Sequence, residues 1–163
     1  GSLFSLKSAG LAEDGFSERL TGYLIAPATG AYTFWIASDD DGQLLLSTDE
    51  NPANLAPIAS VTGFVAEEAW DVSPSQQSAV KQLIAGKRYF FHVNHRDGNF
   101  GDHVAVAWQG PGITRQVIGN AYLESPAAPA DRLAFMIDDS QVCQRPSTGR
   151  KRNSFTLSVT RAG

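Results

Sequence analysis

Gly22-Tyr23-Leu24-Ile25-Ala26, Pro27-Ala28-Thr29-Gly30 and Tyr32-Thr33-Phe34-Trp35-Ile36-Ala37 decide the fold class. Aromatic and β-branched side chains suit a pleated, half-buried surface. Two such runs around a Pro/Gly turn read as a β-hairpin. Outward from this segment the pattern repeats. Residues 43–47 read as a third strand, residues 88–94 as a fourth and residues 103–108 as a fifth, stopped by Gly110-Pro111-Gly112. In the fifth, alternation places Val104, Val106 and Trp108 on one face and His103, Ala105 and Ala107 on the other. The one helical window, residues 75–83, is short. Many short strands separated by turn residues predict an all-β, antiparallel β-sandwich.

The chain has 163 residues, 42% of them hydrophobic and 18% charged, enough for one domain with a real core. No apolar run reaches the roughly 18 residues of a membrane helix, so membrane insertion is not expected. The opening Gly1-Ser2 reads as a cloning scar, and nothing about compartment follows from it. Ser125-Pro126-Ala127-Ala128-Pro129-Ala130 reads as a linker, giving a domain over residues 1–125 and a tail over residues 126–163. Within the tail, residues 133–137 and 155–159 read as strands of a docked hairpin or of a following domain. The tail carries six basic and three acidic residues. That leaves seven basic and fourteen acidic residues for the body, out of a net charge of −4. An acidic body suits cation binding and argues against nucleic acid. A single cysteine, Cys143, excludes an internal disulfide.

Asp39-Asp40-Asp41-Gly42 joins two strands. It reads either as an acidic turn or as a cation site, because calcium takes about six to eight hard oxygen ligands. The spacing is not that of an EF-hand, which would need an acid where Ala37 stands. Arg96-Asp97-Gly98-Asn99-Phe100-Gly101-Asp102 is a second polar loop, read as a hairpin turn or as a wall facing the first. His92 and His95 have opposite parity on one strand, so a zinc site with His103 is not expected, and all three histidines read as surface or loop residues. Trp108 reads as core, and Trp70 as a loop residue. No nucleophile elbow, phosphate loop or His-Glu-x-x-His is present, so an enzyme is not expected.

The ordered set Gly22-Tyr23, Gly30-Ala31-Tyr32-Thr33-Phe34-Trp35-Ile36-Ala37-Ser38-Asp39-Asp40, Gly86-Lys87-Arg88-Tyr89, Gly101-Asp102-His103-Val104-Ala105-Val106-Ala107-Trp108 and Gly110-Pro111-Gly112 resembles the protective-antigen (PA-fourteen) domain family. The match runs from about residue 15 to about residue 123. Residues 47–60 look most like members from bacterial adhesins and secreted enzymes. The resemblance implies a β-sandwich with Asp-rich ligand-binding loops. In lectin-like members two consecutive aspartates joined by a cis peptide bind calcium, and Asp39-Asp40 occupies that place. By position the later loop, residues 97–102, then supplies the carboxylate of Asp102 and the carbonyls of Asn99 and Gly101. Sugar hydroxyls complete the shell, with Asn99 offering an amide and Phe100 an apolar face. The resemblance therefore implies a calcium-dependent lectin module of a secreted or surface adhesin, a monomeric unit in a larger chain that binds glycans. The alternative is a structural spacer, or an accessory domain of a secreted glycan-active enzyme. Two departures stand out. Asn99-Phe100 makes the second loop bulkier than usual, and the stretch before Gly15 looks too short for the family's first strand.

Overall fold

A computed structural model of the chain describes residues 6–9, 17–96 and 103–126. Among the described residues ten strands run in order: β1 (Lys7–Ala9), β2 (Ser17–Ile25), β3 (Gly30–Asp39), β4 (Asp41–Leu46), β5 (Ala56–Val61), β6 (Lys81–Leu83), β7 (Arg88–Arg96), β8 (His103–Gly110), β9 (Ile113–Val117) and β10 (Leu123–Glu124). They form two antiparallel sheets packed as a sandwich. One sheet has the order β1-β8-β3-β6, with β9 also paired to β8. The other has the order β10-β2-β7-β4-β5. The tail strands expected at 133–137 and 155–159 lie outside the described residues.

Among the described residues the predicted strands exist, but the predicted hairpin does not. β2 pairs with β7 and β10, whereas β3 pairs with β8 and β6. The Pro27–Gly30 connection therefore carries the chain from one sheet to the other. Two further expectations are corrected. The N-terminal segment does contribute a strand: β1 lies along one end of β8, with Lys7 opposite Ala105. The helical window is instead a 3-10 turn, Pro74–Gln76, followed by β6. Gln76 caps the start of that turn, and all four hydrogen bonds of its amide are used. Its Nε2 donates to the carbonyls of Ile36 and Ala69, and its Oε1 accepts from the N–H groups of Val72 and Ser73. A buried amide satisfied in this way ties the loop to the back of β3.

The two sheets divide their residues differently. β2 alternates strictly, burying Glu18, Leu20, Gly22 and Leu24 and exposing or half-exposing the residues between. Such alternation marks a sheet with one face in water. β8 buries Val104 through Trp108 without a break, so both its faces are covered. The expected core face is correct: Val104, Val106 and Trp108 are buried in the sandwich core with Phe34, Leu24 and Phe91. Trp108 packs against the rings of Tyr32, Phe34 and Tyr122. Trp70 is half-buried against the same core.

Gly110 is where β8 passes closest to Tyr32. A Cβ at this position would lie 2.3 Å from the tyrosine ring. The ring is fully buried and tethered by its hydroxyl to the carbonyl of Ala28. Gly110→Ala is therefore expected to destabilise the domain by about 1–3 kcal/mol through overpacking. Urea denaturation, read as a lowered midpoint at unchanged slope, checks it.

Candidate functional site

The acidic run is a crossing between sheets. β3 ends at Asp39 in the first sheet, Asp40 turns, and β4 begins at Asp41 in the second. Such an abrupt crossing requires close approach of the two backbones at Gly42. There, a Cβ would meet the buried Ser38 side chain at 2.4 Å. The Asp39–Asp40 peptide is cis.

The turn is fixed from below. The Ser38 hydroxyl donates to the carbonyl of Asp40 at 2.9 Å. His95 Nε2–H donates to the carbonyl of Asp39. The carboxylate of Asp41 accepts from the N–H of Gly63 at 2.9 Å, so the third acid of the run holds the neighbouring loop. That loop is fastened again where Val65 N–H donates to the carbonyl of Ser38, and where His103 Nε2–H donates to the carbonyl of Val65. Nearby, Lys7 pairs with Glu67, whose carboxyl is held below its usual range chiefly by that hydrogen bond. Asp39 and Asp40 are half-buried residues at the rim.

His95 was missed as a structural residue by sequence reasoning, which placed it at the surface or in a loop. It is 2% exposed and stands opposite Glu18, itself 5% exposed, in the β2–β7 register. Its Nδ1 lies 3.8 Å from the Glu18 carboxylate. Because the Asp39 carbonyl can only accept, Nε2 must carry a proton, and the ring bridges a buried carboxylate to the acidic turn. The only available signal was parity: residue 95 shares the inward face with Tyr89, Phe91 and Val93. His95→Ala is expected to cost about 1–3 kcal/mol, since it strips a buried carboxylate of its neighbour and a backbone carbonyl of its donor. Thermal unfolding of the variant checks this.

The second predicted loop can be placed only through its ends. Arg96 lies opposite Asp41 in the β4–β7 pair, and His103 lies opposite Asp39 in the β3–β8 pair. Arg96 and His103 thus stand on either side of the acidic turn. Asn99, Phe100, Gly101 and Asp102 themselves lie outside the described residues. The three histidines do not converge: His92 faces outward, His95 inward and His103 the 62–68 loop. Among the described residues no group of three or more His, Cys, Asp or Glu could hold a metal ion. Asp39 and Asp40 suit a hard cation in donor type, but two carboxylates supply only part of a calcium shell.

The family profile for the PA14 domain matches residues 5–122. In sequence, the chain is 34% identical over 112 residues to mouse N-acetyl-beta-glucosaminyl-glycoprotein 4-beta-N-acetylgalactosaminyltransferase 1, covering 64% of this chain and 11% of that protein. It is 28% identical over 111 residues to dog fibrocystin, covering 60% of this chain and 3% of that protein. The chain therefore spans a small part of the length of these curated relatives. In structure, it is similar to the epithelial adhesin 6 A domain from Candida glabrata, solved in complex with Galb1-3GlcNAc. That match has a TM-score of 0.55 at 18% identity and covers 74% of this chain and 55% of the other. With nearly the whole sandwich matched in order, this chain belongs to the PA14 domain family.

Proposed function

We propose that this domain is a glycan-binding module in which Asp39 and Asp40 hold a calcium ion, with the 97–102 segment supplying the remaining protein ligands. The observation that carries the reading is the shared rim: the acidic crossing from β3 to β4 is flanked by Arg96 and His103, between which Asp102, Asn99, Phe100 and Gly101 lie in sequence. Calcium, when bound, offers open coordination positions to vicinal hydroxyls. The chain's part is to fix two carboxylates there: His95 and Ser38 hold the backbone carbonyls of the turn inward, which leaves the acidic side chains at the surface. The similar adhesin domain, solved with a disaccharide, supports the fold as a platform for a glycan site.

In this reading the module works by binding rather than turnover, at an extracellular or cell surface, as one unit of a longer chain. The transferase relative favours a second context for the same module. There, a domain of this kind occupies about a tenth of a glycan-modifying enzyme, as an accessory to catalysis elsewhere. A glycan array probed with the purified domain in calcium and again in chelator tests the binding claim, alongside calcium calorimetry. Calcium-dependent retention of particular glycans is expected. Calcium uptake without any glycan signal supports the spacer reading instead, and no uptake below the millimolar range overturns the calcium site.

A further inference from the structure

The outer face of the second sheet carries a polar groove that adjoins the acidic turn at Asp41 and extends beyond it. Outward-facing positions of β2, β7, β4 and β5 fall in register to give the row Arg19, Asn94, Gln43, Ser60. One pair of residues further along, Arg96 stands opposite Asp41 on the same face. These side chains line a groove of about 900 Å³. Rows on a sheet repeat at about 4.8 Å from strand to strand, so four strands present hydrogen-bonding groups at regular steps along a line.

The chemistry of the row is specific. Arg19 Nε donates to Asn94 Oδ1 at 3.0 Å, which orients the amide and leaves the terminal guanidinium nitrogens directed elsewhere. Asn94 and Gln43 each offer both a donor and an acceptor, and Ser60 adds a hydroxyl. Vicinal hydroxyls of a saccharide need such mixed partners. The arginines add charge. Arg88 and Arg115 each have a carboxylate partner, but among the described residues neither Arg19 nor Arg96 has a carboxylate within ion-pair distance. Two acids also line the groove: Asp41, engaged by the Gly63 N–H, and Glu18, which is buried beside His95. Two arginines are thus presented on a body that is otherwise acidic, with seven basic and fourteen acidic residues before residue 126. A guanidinium fork matches a carboxylate bidentately. Along the strands the same face continues into His92, Phe90 and Tyr23, whose rings lie 5.1 and 5.4 Å apart in succession. Of these, Tyr23 and His92 are half-buried beside the groove and Phe90 is buried between them.

We infer that this groove is a second, calcium-independent saccharide site, selective for short acidic glycans of the uronate type, with Arg19 and Arg96 reading the carboxylate and Asn94, Gln43 and Ser60 the hydroxyls. Its Asp41–Arg96 end adjoins the acidic turn, but the row Arg19, Asn94, Gln43, Ser60 runs away from it across the outer face of the second sheet, and the site does not depend on the calcium reading.

Isotope-labelled domain, titrated in chelator with trigalacturonate and followed by amide shifts in NMR, tests the site. Saturable shifts centred on Arg19, Gln43, Ser60 and Asn94 are expected. The Arg19→Gln, Arg96→Gln double variant should weaken binding by about tenfold or more, whereas Asp39→Ala should leave it unchanged. Maltotriose tests the need for the carboxylate and triglutamate the need for the sugar. An equal response to either one overturns the proposal, as does the absence of saturable shifts on this face. Shifts that vanish in Asp39→Ala would also overturn it, by assigning the ligand to the rim. The wild-type shift map and the two comparators decide the matter even if the double variant does not fold.

Discussion

In the Asp39→Ala variant, calcium uptake is expected to fall by more than about 100-fold, beyond the loss typical of removing an outer-shell partner, and calcium-dependent glycan retention should disappear. The reasoning starts from oxygen counting. A calcium ion needs about six to eight oxygens, and in the proposed site the acidic turn supplies the carboxylates of Asp39 and Asp40. The Asp41 carboxylate and the carbonyls of Asp39 and Asp40 are already engaged with Gly63, His95 and Ser38. Removing one of the two outward carboxylates therefore halves what the turn can give. Alanine keeps the backbone carbonyl to which His95 donates, so the sandwich should survive. Calorimetry measures the lost uptake. Thermal melting gives an independent readout: calcium at 100 times its Kd should stabilise the wild type by about 2.7 kcal/mol, and the variant should show no calcium-dependent shift. Glu50→Ala, which removes the same charge from an exposed position after β4, is the control and should behave as wild type. Unchanged calcium affinity in Asp39→Ala would remove the acidic turn from the function.

Trp108→Ala should destabilise the domain by about 3–5 kcal/mol, the range for deleting a buried aromatic, and lower the melting temperature by about 10–20 °C. The indole is fully buried at the centre of β8, between the rings of Tyr32, Phe34 and Tyr122. Those neighbours cannot collapse into the space. Tyr32 is tethered by its hydroxyl to Ala28, and Phe34 lies in the middle of β3, paired directly with residue 108. β8 also carries β1, β3 and β9, so loosening it affects every strand of the first sheet except β6 directly. Chemical denaturation and differential scanning calorimetry measure the loss. A cost below about 1 kcal/mol, the usual value for a surface change, would show that the core is not organised around this residue.

Local chemistry accounts for what was legible in the sequence. Side-chain alternation, aromatic content and Pro/Gly punctuation located β2, β3, β4, β7 and β8 to within a few residues, because each signal is written within one strand. Trp108 was readable as core from its parity with Val104 and Val106. Three adjacent carboxylates read as an acidic turn or as a cation site, and the family resemblance singled out Asp39-Asp40. The second loop was legible as a polar, glycine-containing stretch, its ligand roles came only from the family resemblance, and Asn99, Phe100, Gly101 and Asp102 lie outside the described residues.

Other features had no local signature. β3 could not be assigned to a sheet from residues 22–37, since hairpin and inter-sheet crossing share the same turn residues, and the choice is made by hydrogen-bond partners some 70 residues away in β7 and β8. Short β1 and β6 each pair through only three residues and carry too little pattern to be seen. Glu18 and His95 look like surface residues in isolation. Only the pairing of β2 with β7 brings them together beneath Asp39, 56 residues from His95 in sequence. The row Arg19, Asn94, Gln43, Ser60 is likewise invisible before the register is known.

The sequence by itself determined that this chain folds as β-strands, that it buries Trp108, and that it places neighbouring acids at a strand end. Only the tertiary structure decided which strands share a sheet, what lies beneath the acids, and which polar side chains line up across four strands. The physical reason is that strand formation depends on neighbours one and two residues away, whereas register is a property of two distant segments. It is set by the joint burial of their apolar faces.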